Sequence, residues 1–83
     1  MPTILFQQGW RVFFYMDEGN EPIHVHCRKG DMDCKYWIDV DSFDIQEDYS
    51  YRLSPQARRE IRAILFEHFD YIVAEWLRLQ KRL

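Results

Sequence analysis

The spacing of apolar and polar positions predicts an antiparallel sheet in the first 50 residues and a helix in the remainder. Thr3-Ile4-Leu5-Phe6 suits a short edge strand. After Gln7-Gln8-Gly9, the run Trp10 to Met16 is dense in aromatic and β-branched residues and predicts a strand ending at the turn formers Asp17 to Pro22. A further strand, Ile23 to Lys29, precedes Gly30-Asp31, and Cys34 to Val40 alternates well enough to be its hairpin partner. A two-residue turn at Gly30-Asp31 sets Lys29 opposite Met32, Cys27 opposite Cys34, His26 opposite Lys35 and His24 opposite Trp37. Residues 42–50 suit a short acidic edge strand.

Successive strand side chains point to opposite faces, so the hairpin divides into two sets. Ile23, Val25, Cys27, Cys34, Tyr36, Ile38 and Val40 form the expected core face. His24, His26, Lys35, Trp37 and Asp39 form the other. The same rule puts Trp10, Val12, Phe14 and Met16 inside and leaves Arg11, Phe13 and Tyr15 beside the histidines.

Ser54-Pro55 opens a helix in chemical terms, with a hydroxyl to cap the first amides and a proline where a missing N–H costs nothing. Nothing breaks the helix before Arg82. Ile61, Leu65, Phe69 or His68, Ile72, Trp76 and Leu79 recur every three or four residues, which marks the face toward the sheet. About 28 residues make a helix of roughly 42 Å, against a diameter of roughly 30 Å for a domain of this length. The helix must therefore overhang, kink or pair. Phe66, Tyr71, Val73 and Leu77 lie off the stripe and need cover, which favours pairing with a second subunit or a small partner protein. The expected fold is α+β, with a three- to five-stranded antiparallel sheet in residues 1–50 and one long C-terminal helix over 54–82 packed on one face.

Composition limits this to one domain, residues 1–83. With 47% hydrophobic and 17% aromatic residues the chain can fill a single core, and a domain this small gains from association. The net charge of −3 is unevenly spread: residues 1–53 hold ten acids and five bases, residues 54–83 four acids and six bases. Neither part has the Lys/Arg density of a duplex-DNA binder. The N-terminus lacks a basic, then apolar, leader, and no run approaches the roughly 20 apolar residues of a membrane span, so a cytoplasmic protein without membrane contact is expected. Cys27 and Cys34 fit buried thiols better than a disulfide framework or a metal knuckle.

One helix covers one face of a sheet. That leaves Phe13, Tyr15 and Trp37, with Arg11, His24, His26, Lys35 and Asp39, on a face whose aromatics suit contact with a partner. His24 and His26, two residues apart on one strand, project side by side. As acid and base, with Lys35 and Arg11 supplying positive charge, they would suit metal-independent cleavage of RNA, while Tyr15 and Trp37 would stack unpaired bases. They would also suit a metal, given a further ligand from Asp39 or from the carboxylates between Asp17 and Glu21. The bland alternative is a polar face whose cross-strand pairs serve the sheet alone. No cofactor is called for, and His68 reads as structural. Glu21-Pro22-Ile23-His24-Val25-His26 resembles the opening of a cupin metal motif, but the chain is too short for that double-stranded barrel and no second histidine strand follows.

Met1-Pro2-Thr3-Ile4, Phe13-Phe14-Tyr15, Pro22-x-His24-Val25-His26, Lys35-x-Trp37, Leu53-Ser54-Pro55 and the late Trp76 together resemble a family of small bacterial proteins, domain of unknown function four-one-six-zero. The family's usual Pro-Pro-His-x-His is Pro22-Ile23-His24-Val25-His26 here, without the second proline. The resemblance implies a bacterial cytoplasmic protein whose gene lies beside another small gene, in an arrangement of toxin–antitoxin type. It transfers no catalytic residue. The expected function is that of a protein-interaction component of such a two-gene module, with ribonuclease and metal binding as the alternatives.

Overall fold

A computed structural model describes residues 3–15 and 20–80 of the chain. Five strands run in sequence order across one antiparallel sheet: β1 (Thr3–Gln7), β2 (Trp10–Phe13), β3 (His24–Lys29), β4 (Met32–Asp39) and β5 (Asp44–Tyr51). Two helices follow, α1 (Pro55–Glu67) and α2 (Phe69–Gln80). Among the described residues, no helix is long and apolar enough to cross a membrane.

Turn chemistry fixes the registers. Gln8 and Gly9 have φ of 52° and 83°, the two left-handed positions of a type I′ turn, which sets Gln7 opposite Trp10. Gly30, at φ 59°, occupies the first central position of the β3–β4 turn. Lys29 therefore pairs Met32, Cys27 pairs Cys34, His26 pairs Lys35 and His24 pairs Trp37, as the two-residue turn requires. Only the first part of the expected strand Trp10 to Met16 is paired. Met16, expected on the core face, and Asp17 to Gly19 of the expected turn lie outside the described residues, as do Lys81 and Arg82 at the end of the expected helix.

The core lies between one sheet face and the helices. Trp10, Val12, Phe14, Val25, Cys27, Cys34, Tyr36, Ile38 and Ile45 are buried against Ala57, Ile61, Ile64, Leu65, Phe69, Ile72, Trp76 and Leu79. The expected helical stripe is thus the buried one. Val40, expected inside, is exposed because β4 ends one residue before it. Ile23 is half-buried just ahead of β3, and its carbonyl accepts a hydrogen bond from Ile38 N–H at 2.8 Å.

The helix is not continuous. Ser54 caps α1, its hydroxyl accepting from Ala57 N–H at 3.0 Å with Pro55 following, but the helix closes at His68 and α2 starts at the next residue. His68 departs from helical geometry at φ −107° and ψ 22° although no proline or glycine is near it. The bend is tertiary in origin. Phe69 packs on Phe43, with ring centroids 4.4 Å apart, Tyr71 hydroxyl donates to Ile4 carbonyl at 3.0 Å, and Trp76 meets Phe14 at 5.2 Å. The expectation of one long helix is corrected to two.

Candidate functional site

Alternation puts His24 and His26 on the sheet face opposite α1, but that face is not bare. His24 is fully buried. Its ring lies 5.2 Å from the Trp37 ring, 5.3 Å from His26 and 5.1 Å from Trp76. Trp76 touches both Phe14 and His24, so α2 reaches round the ends of the strands to the second face. His24 Nδ1 is 2.9 Å from Pro22 carbonyl oxygen, which only accepts, so Nδ1 carries the proton. Nε2 then faces Glu21 Oε2 at 3.6 Å.

His26 is 7% exposed. It stacks on Phe13 at 5.5 Å, meets Tyr15 edge-on at 4.9 Å, and has Nδ1 3.5 Å from the hydroxyl oxygen of Tyr49. Phe13, expected to be an exposed contact residue, is 1% exposed: Arg11 lies 4.4 Å above its ring and Arg28 at 5.9 Å. Cross-strand neighbours with long side chains bury what the helices leave uncovered. The outer layer consists of Tyr15, half-buried Trp37, Tyr49 and Tyr51, with Phe6 toward the β1 edge.

The cations on this face already have companions. Lys35 Nζ stands 4.3 Å over the Trp37 ring and 3.5 Å from Asp48 Oδ2. Arg28 is 3.4 Å from Asp33, Arg52 is 3.6 Å from Asp31, and Arg11 Nε donates to Thr3 Oγ1 at 2.7 Å. Three of these four cations, Lys35, Arg28 and Arg52, stand beside an acid, and only Arg11 bonds a neutral group, which weakens the field that would attract phosphate.

Asp39 does not join the histidines. Its Oδ1 accepts Ser42 N–H at 3.3 Å beyond the end of β4, and the Ser42 hydrogen bonds hold its carboxyl below the usual range. With Pro22, Trp37, Ile38 and Gln46 it lines an open groove of about 340 Å³. Among the described residues no three His, Cys, Asp or Glu side chains gather as metal ligands. Asp17 and Glu18, named as ligand candidates from the sequence, lie outside the described residues. Cys27 and Cys34 face each other, free and fully buried, and burial pushes the Cys27 thiol well up. It stays protonated and unreactive.

The model of the family described as domain of unknown function (DUF4160) matches residues 9–77. The chain belongs to the DUF4160 family. Neither the curated proteins nor the solved structures give a match. The DUF4160 match includes both histidines, Lys35, Trp37, Tyr49 and Trp76, so the whole covered face lies within it.

Tyr49 is the residue that sequence reasoning missed. The β4–β5 register shifts between Lys35 and Tyr36: Tyr36 pairs Glu47, whereas Lys35 pairs Tyr49, leaving Asp48 as the extra residue. Without that bulge Glu47 and Tyr49 would share a face; with it, Glu47 points to the helices and Tyr49 to the histidines. The only sequence signal was the pair Tyr49 and Tyr51 in a segment otherwise read as acidic.

Proposed function

We propose that this DUF4160 protein is the partner-binding component of a two-gene module of toxin–antitoxin type, and that it holds a small partner protein against the Tyr15–Trp37–Tyr49–Tyr51 sheet face. The carrying observation is the state of that face: exposed aromatic rings over enclosed histidines, with Arg28, Lys35 and Arg52 each beside an acid and Arg11 bonded to the Thr3 hydroxyl. Tyrosine and tryptophan supply large rigid contact area at low entropy cost, which protein interfaces use at their centres. The two-gene setting comes from the family resemblance.

Ribonuclease action fits less well. Acid–base cleavage of a phosphodiester needs both imidazoles within hydrogen-bond reach of the reacting oxygens. His24 has no exposed surface and its Nδ1 proton is given to Pro22. Lys35, the expected electrostatic helper, is held between Trp37 and Asp48.

Co-expression with the product of the adjacent gene, followed by calorimetry, tests the proposal. The partner should copurify, and Trp37→Ala or Tyr49→Ala should weaken binding by about 2 kcal/mol. Single-stranded RNA should stay intact across about pH 5 to 8, the range in which imidazole acid–base pairs work. RNA cleavage lost on His26→Ala, or partner affinity unchanged by both aromatic substitutions, would overturn the reading.

A further inference from the structure

The two edges of the sheet are unlike. β1 has five residues, and its Ile4 carbonyl is taken by the Tyr71 hydroxyl of α2. β5 has eight residues, of which only Ile45 is buried and Glu47 half-buried. Ile38 N–H donates to Ile23 carbonyl, so the main-chain groups of Ile38 point toward β3. By antiparallel alternation, those of its partner Ile45, and of Glu47 two residues on, point out of the sheet. Asp44 Oδ1 accepts the Ile45 N–H at 2.8 Å, which leaves the Ile45 carbonyl and the Glu47 amide and carbonyl facing outward.

β5 carries three acids, Asp44, Glu47 and Asp48, and no base. Its face on the histidine side presents Asp44, Gln46, Asp48 and Tyr49, since Gln46 pairs Trp37 and Tyr49 pairs Lys35. Antiparallel pairing with a second copy of β5 would set acid against acid, a destabilising cross-strand arrangement. The charge complement is a basic strand.

We infer that the outer edge of β5 accepts an extended, arginine- or lysine-rich segment of the partner protein as a sixth strand. Its cations lie against Asp44 and over the exposed Tyr49 ring, and share Asp48 with Lys35. Main-chain bonds supply affinity and the acids supply selectivity, as in other strand-addition interfaces. The inference rests on the protein-binding reading and names the chemistry of the partner.

The test uses the full chain, isotope-labelled, titrated with a short synthetic peptide alternating arginine and valine. A glutamate–valine peptide and an arginine–valine peptide interrupted by proline serve as controls. The amide of Glu47 should shift and gain exchange protection with the first peptide alone, and Asp44→Asn with Asp48→Asn should weaken binding about tenfold or more. Equal binding of the proline-interrupted peptide would overturn strand addition, because charge alone would then explain the affinity. That result leaves the face reading standing, since its own failure is read separately, from partner affinity unchanged by Trp37→Ala and Tyr49→Ala.

Discussion

At the start of β3, the His24 ring lies among Trp37, Trp76 and His26, with one nitrogen bonded to the Pro22 carbonyl. A ring so enclosed acts as a packing element. His24→Ala should cost about 3 kcal/mol of unfolding free energy, in the range of large-to-small core changes. His24→Phe, which keeps the volume but loses the Pro22 bond, should cost less. Urea denaturation of the three proteins measures both, and a loss under about 0.5 kcal/mol for His24→Ala would mean the site behaves as open surface. Alternation along the strand told which way this histidine points. It could not tell that the face would be covered, because the cover comes from Trp76, some fifty residues on, and from the long side chains of Arg11, Arg28 and Lys35. Phe13 was misjudged as exposed for the same reason.

Elements with local causes were readable in advance. The β3–β4 hairpin follows from Gly30 and two alternating runs, and every pair from Lys29–Met32 to His24–Trp37 forms as its turn dictates. The start of α1 follows from Ser54-Pro55. Ser54→Ala should lower stability by about 1 kcal/mol, the usual worth of an N-cap hydroxyl, with the helix otherwise intact. Thermal melts followed by far-ultraviolet circular dichroism check this, and an unchanged melting temperature would mean that Pro55 and packing hold the helix start without the hydroxyl. Elements with distant causes were not readable. The bulge at Asp48, which turns Tyr49 toward His26, answers to pairing with β4. The break at His68 stands where the following helix meets Phe43 of the β4–β5 turn, Ile4 of β1 and Phe14 just past β2, and no residue near it announces a stop.

At the scale of the whole fold, the carboxylates of Glu60 and Glu47 fasten helix to sheet. Glu60 of α1 accepts from Trp10 Nε1 at 2.6 Å and from Lys29 Nζ at 2.8 Å. Glu47 of β5 accepts from Tyr36 hydroxyl and from Arg58 Nε, each at 2.9 Å. The Arg58 hydrogen bond is the main cause that holds the Glu47 carboxyl below its usual range, and the Lys29 hydrogen bond does the same for Glu60. A carboxyl depressed in the folded state adds stability that is fully present above its unfolded value, about 4.3. That stability is lost as pH falls through the lower folded value. The domain should therefore hold its stability from neutrality down to about pH 5 and weaken progressively below it. Glu47→Gln with Glu60→Gln should be less stable than the wild type at neutral pH yet lose less on acidification. Denaturation midpoints for both proteins at neutral and acid pH decide the matter. Equal acid losses would mean that other carboxyls held below their usual range, Asp39 by its Ser42 hydrogen bonds and Glu75 by its Arg78 hydrogen bond, carry the acid sensitivity.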